Sequence, residues 1–167
     1  MAHDEKQDDR AKLYDMIKEV RIAMLTTVES DGSLHTRPMA NQEADENGDL
    51  WFFAERGSAV EANVQANPQL ALGFSDPHGD SYVAVSGTGS LHDDRATIDA
   101  HWNEILTAWF PGGKDDPKIV VLQVNLSKGE FWDTKSGLLY TLTSFVKSKL
   151  TGTGPADSLQ DNEKVAL

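Results

Sequence analysis

Punctuation constrains this chain most: short apolar, β-branched runs are cut by turn-forming residues, and the helical stretches do not alternate with them. Arg21–Val28 is mostly apolar and β-branched, Glu29-Ser30-Asp31-Gly32 is a turn signal, and Ser33–Asn41 resumes; this predicts a hairpin. A polar gap containing Asn47-Gly48 leads into Leu50-Trp51-Phe52-Phe53-Ala54, a run suited to a buried strand. Gln69–Ser75 and Asp80–Leu91 read as strands around the loop Asp76-Pro77-His78-Gly79. Ile119–Leu126 is a Val-rich strand, and Glu130-Phe131-Trp132 belongs to another.

Three segments carry helical signals. After a solvated lead-in of about ten residues, Leu13, Met16, Ile17 and Val20 form one stripe over Arg10–Val20. Gly57–Asn67 has Ser58 placed as an N-cap, Val60 and Val64 four apart, and Pro68 as its stop. Asp93–Phe110 is the longest candidate, closed by Pro111-Gly112-Gly113. This order lacks the β-α-β alternation of a doubly wound sheet. It predicts a mainly β fold, a closed or split antiparallel barrel with peripheral helices. The expected domain covers residues 1–150, and the turn-rich, polar 151–167 is expected to be a flexible C-terminal tail.

Composition excludes several classes of function. The 167 residues carry a formal charge of −12 and no cysteine, with a pI near 4.7. Nucleic-acid binding and docking to anionic membranes require clustered cations, so neither partner is expected. Thiolate metal sites, disulfides and cysteine nucleophiles are ruled out. No apolar run approaches the ~20 residues of a membrane span, and the charged start MAHDEKQDDR lacks a secretory core. A cytoplasmic protein is expected, in which the sequon Asn125-Leu126-Ser127 is silent.

Motifs for hydrolysis and phosphate loops fail on context. No serine sits in a G-x-S-x-G elbow. Gly87-Thr88-Gly89 lies within a strand and marks a bulge or a close backbone approach. His92-Asp93 and His101 do not make a ligand pattern, and no metal site is expected. Three places remain, each with a structural alternative. Leu34-His35-Thr36-Arg37-Pro38-Met39 puts proline in a strand, so this is an edge or a point where something binds. Trp51–Ser58 runs from aromatic strand to capped helix start, which suits a phosphate or is core followed by an ordinary cap. Trp109-Phe110-Pro111-Gly112-Gly113 and Phe131-Trp132-Asp133 suit an interface or flat ligand, or peripheral core.

In this order, these segments resemble the FMN-binding split-barrel family typified by pyridoxamine 5′-phosphate oxidase, in its general stress protein branch. The markers are Ala23-Met24-Leu25-Thr26-Thr27, Leu34–Met39, Leu50–Ala54, Asn67-Pro68-Gln69-Leu70-Ala71-Leu72, Tyr82–Gly89, Trp109–Gly113 and Glu130-Phe131-Trp132. The resemblance implies an antiparallel Greek-key split barrel and a homodimer holding FMN, or FAD, between its subunits. The function implied is that of a flavin-dependent oxidoreductase or flavin carrier, with a non-catalytic binding module as the alternative. It implies cofactor contacts from His35, Thr36, Arg37, Pro38 and Met39, from Phe52, Phe53 and Ala54, from Ser58 and the Val60 position, and from Trp109 and Trp132. Arg37 would reach the phosphate or ring edge, and Ser58 the phosphate. The chain departs from the pattern at Val60, where many relatives carry lysine. It departs again at Lys135-Ser136-Gly137-Leu138-Leu139-Tyr140, where the oxidase holds its substrate phosphate. The second departure argues against pyridoxamine-phosphate oxidase activity.

Overall fold

Gly32 turns the chain at φ +84°, a left-handed conformation that costs glycine no Cβ clash. On either side of it β1 (Ile22–Val28) and β2 (Leu34–Ala40) pair antiparallel, with Leu25 opposite Arg37. The structure is a computed structural model that describes residues 2–42, 44–79, 81–133 and 162–167. Its remaining strands are β3 (Leu50–Glu55), β4 (Gln69–Asp76), β5 (Ser81–His92), β6 (Ile119–Asp133) and β7 (Asn162–Ala166). All pair antiparallel in one seven-stranded sheet of order β2-β1-β4-β5-β6-β3, with β7 also on β6. Because β4, β5 and β6 are successive neighbours while β3 lies beside β6, the connection is a Greek key. The sheet curls until β2 and β3 touch without forming a ladder. That gap is the split in the barrel, and it leaves Pro38 on an edge strand, where a missing N–H is tolerated.

Alternation decides what faces inward. Ala23, Leu25, Leu50, Phe52, Leu70, Leu72, Phe74, Val83, Val85, Leu122 and Val124 fill the barrel. Leu13 and Ile17 of α1 (Ala2–Lys18) and Val60 and Val64 of α2 (Ala59–Ala66) join them from outside the sheet. A second cluster, Trp51, Ile98, Leu106, Phe110, Ile119 and Val121, lies on the other face of β3 and β6. It is covered by α3 (Arg95–His101) and the 3-10 turn Glu104–Ala108. No described helix is long and apolar enough to cross a membrane.

Four expectations are corrected. The lead-in is helical: α1 begins at Ala2, because no breaker separates the polar residues before Arg10 from the packed stripe. The single helix expected over Asp93–Phe110 is broken after His101. Trp102 turns extended at ψ 137° to meet Phe53, and the Asn103 side chain accepts the Ile105 N–H (3.0 Å) to start the 3-10 turn. Ile119–Leu126 and Glu130–Trp132 are one strand. The apparent break is a bulge at Ser127, since Gly87 opposes Leu126 and Ser86 opposes Lys128. Gly87 is required there, for a Cβ would strike the Asn125 backbone. Finally, the end of the expected loose tail is strand β7, which takes the free edge of β6 beyond the part paired with β3. The segment Lys135–Tyr140 lies outside the described residues.

Candidate functional site

The split in the barrel opens into a cleft of about 420 Å³, within the usual range of small-molecule sites. Ile22 of β1 and Pro38, Met39 and Ala40 of β2 form one side, and Phe53, Ala54 and Glu55 of β3 the other. Ser58 and Val60 close it at the head of α2, and Leu106, Trp109 and Phe110 stand over it from the 3-10 turn. The floor is thus two unladdered strand edges, whose free backbone groups can meet a polar ligand rim. The walls are apolar and aromatic. Phe53 packs edge-on against Trp102 (5.8 Å between centroids) and in a tilted arrangement against Phe110 (6.4 Å). Trp109 is 60% exposed at the mouth.

At the head of α2, the Ser58 Oγ accepts the Glu61 N–H (3.4 Å), and the Glu61 carboxylate accepts the Gly57 N–H (2.5 Å). This is a variant of the capping box, in which side chains satisfy first-turn donors. Among the described residues, Glu55 is the only ionisable side chain in the lining, and it pairs with Lys118 at 3.1 Å. Arg56 donates to the Pro117 carbonyl (3.3 Å) and to Asp93 (3.1 Å).

The residues expected in a cofactor site divide. Pro38, Met39, Phe53, Ala54, Ser58, Val60 and Trp109 converge on the cleft. His35, Thr36, Arg37, Phe52 and Trp132 do not line it. His35 pairs with Glu29 (2.7 Å) near the hairpin turn, and Thr36 shares a hydrogen bond with Thr26 (2.8 Å). Phe52 is fully buried in the barrel, while Trp132 lies opposite Tyr82 in the β5–β6 ladder. Arg37 Nη1 donates to the buried Thr27 Oγ1 at 2.9 Å, and Asn63 of α2 donates to the same oxygen at 3.0 Å. Burial lowers the guanidinium's pKa, against the opposing pull of Glu29. Arg37 Nη2 is buried with no partner among the described residues. Ile22, Ala40 and Leu106 carry no local signal of a site; they meet only when the sheet curls.

Beyond the cleft, Trp51 stacks on His101 (3.9 Å, 18°) with His92 at 5.6 Å, and its indole donates to Asp45 (2.9 Å). Burial lowers the His101 pKa; Asp45 opposes this and His92 adds to it. The buried Asp49 accepts from Gln123 (2.7 Å) and Asn125 (2.9 Å), so the sequon amide is engaged in the fold. With its amide nitrogen given to Asp49, Gln123 presents its oxygen to His92 Nε2 (2.9 Å), which therefore carries the proton. Among the described residues, no three His, Asp or Glu side chains converge as metal ligands would.

Comparison with known proteins agrees with this architecture. The family model described as pyridoxamine 5′-phosphate oxidase like matches residues 8–156. A candidate general stress protein 26 of Jannaschia sp. CCS1 superposes with a TM-score of 0.74 at 27% identity, over 96% of this chain and 99% of that one. The general stress FMN/FAD binding protein of Xanthomonas citri gives 0.65 at 31% identity, over 75% and 89%. Protein bli-3 of Neurospora crassa is 25% identical over 142 residues, 79% of this chain and 68% of that protein. With a matching family model over most of its length and the same split barrel, the chain belongs to the pyridoxamine 5′-phosphate oxidase-like family.

Proposed function

We propose that this protein binds a flavin, FMN or FAD, in the cleft between β2, β3 and the head of α2, as a general stress type flavoprotein. The observation that carries the reading is the chemistry of the cleft. A planar, mostly apolar ring system with polar edges suits walls of Phe53, Pro38, Met39 and Trp109 above two unladdered strand edges. The likeness to a protein named for FMN/FAD binding supports the same class of ligand. A bound flavin supplies hydride and single-electron chemistry; the chain supplies position and surroundings. Among the described residues the one ionisable group lining the cleft, Glu55, is paired with Lys118, which supports a lining that orients and shields the ring. That favours a flavin carrier, or an oxidoreductase whose proton transfers come from substrate or solvent.

A second copy of the chain completes the site in this reading. The outward row Pro38–Met24–Gly73–Ala84 crosses four strands without a charge. Ile22 (49%), Met24 (44%) and Tyr82 (46%) are exposed on that face, and Ile22 and Pro38 carry it into the cleft. Exposed apolar surface of this kind marks an interface.

Titration of the flavin-free protein with FMN, followed by flavin fluorescence and by mass from light scattering, tests both parts. One flavin per chain on a two-chain particle is the expected result. Unchanged fluorescence at millimolar protein would overturn flavin binding, and a one-chain mass with flavin bound would overturn the shared site.

A further inference from the structure

We propose that the cleft recognises a flavin by its ring and ribityl chain and gains little from the phosphate, and that Glu61 sets this balance. The inference rests on the flavin reading above and specifies which part of the ligand is read.

Three observations point this way. Among the described residues the cleft lining holds no cation, and its one charged side chain is an acid, Glu55. Three cations close to lining residues are engaged: Lys118 on Glu55 (3.1 Å), Arg56 on Asp93 (3.1 Å) and Arg37 Nη1 on Thr27 (2.9 Å). Third, the place where an anion would meet the head of α2 already has one. Glu61, in the first turn, takes the Gly57 N–H at 2.5 Å, and its own N–H is given to Ser58 Oγ. A phosphate brings about −1.5 to −2 charges, so it would meet like charge from Glu61 and Glu55 in a protein of net charge −12. Uncharged ribityl hydroxyls carry no such penalty. They need only donors and acceptors of the kind that Ser58 and the strand edges present. Arg37 Nη2 is a cationic N–H buried without a partner among the described residues, so Arg37 is the residue that would compete with this reading by taking the phosphate itself.

The test is parallel titration of the full-length, flavin-free protein with riboflavin and with FMN, at neutral pH and low salt, read by flavin fluorescence. One charge-assisted hydrogen bond is worth roughly tenfold or more in affinity, so FMN should exceed riboflavin by less than about tenfold. Glu61→Gln keeps an oxygen for the Gly57 N–H while removing the charge. It should tighten FMN by about fivefold or more and leave riboflavin unchanged. A wild-type preference for FMN of about tenfold or more overturns the proposal, and this comparison needs no variant to fold. An unmoved FMN-to-riboflavin ratio in a folded Glu61→Gln protein overturns the role of Glu61. Loss of FMN but not riboflavin in Arg37→Ala overturns it too, assigning the phosphate to Arg37. Binding of FMN without riboflavin retires this inference alone; binding of neither retires the flavin reading with it.

Discussion

Phe52 and Phe53 are adjacent in sequence and identical in chemistry, yet β3 sends them to different regions. Phe52 points into the barrel, where it is fully buried in a core built from five other strands and two helices. Phe53 points outward into the cleft, half-buried, with Trp102 and Phe110 at its edges. The period of two in a strand is the whole cause. Both are expected as cofactor contacts from sequence; the structure brings only Phe53 to the cleft. The interior is a closed packing problem. The cleft side keeps aromatic surface uncovered that a folded monomer has no internal use for.

Substitution should separate these regions. Phe52→Ala should lose about 3–5 kcal/mol of stability, because the closed barrel cannot collapse onto the void. Phe53→Ala should lose roughly half of that, since its ring is only partly buried, while weakening flavin binding more than tenfold. Denaturant melts of the flavin-free proteins, set beside flavin titrations, check the pair. Equal stability losses would erase the distinction between interior and cleft.

Val60 belongs to both regions, packed with the barrel core and forming part of the cleft wall. Val60→Lys should therefore show both effects. The FMN-to-riboflavin ratio should rise roughly ten- to hundredfold, corresponding to about 1.5–3 kcal/mol for a new charge-assisted bond. The flavin-free melting temperature should fall as the ammonium is drawn toward apolar neighbours. A lower melting temperature with an unchanged ratio would place this side chain with the interior alone.

Arg37 tests the tie between edge strand and helix. Arg37→Ala removes one of the two donors to Thr27 Oγ1 and leaves Asn63. The expected loss is about 1 kcal/mol of flavin-free stability, with riboflavin affinity unchanged. A loss several times larger would make this tie part of the closed interior.

The smallest effect concerns His101 on the outer face. Its pKa is lowered by burial below the ordinary 6.5, so folding favours the neutral ring. The unfolded chain then binds more protons between the two values, and this contribution is fully present above about pH 6.5 and lost as pH falls toward the folded value. His101→Phe keeps a ring against Trp51, and should flatten the melting temperature between pH 5 and 7. An unaltered slope would remove His101 as a source of acid sensitivity.

Local chemistry made much of this legible. The hairpin at Gly32, the cap at Ser58 and the stop at Pro68 are short-range effects, and all form where their residues predict. Pro38 left two alternatives, an edge strand or a point where something binds, and the sheet order puts β2 on an edge. The break at Trp102–Asn103 was not legible, because Phe53 draws Trp102 from a distant strand. Nor was β6 as one strand, since the apolar run ends at Leu126 and the pairing with β5 and β7 is what carries the strand on to Asp133.

The sequence by itself determined which segments could be strands, where the first hairpin and the second helix begin and end, and that no thiol or basic-patch chemistry was open to this chain. Those properties depend on neighbours within a few positions and on composition. Only the tertiary structure decided that Ile22, Ala54, Val60 and Trp109 would share one cleft, that Arg37 would turn to Thr27, and that Glu61 would take the Gly57 amide. Each depends on how far the sheet curls before β2 and β3 meet. That curl is fixed by the packing of the whole barrel interior at once, and no local run of residues encodes it.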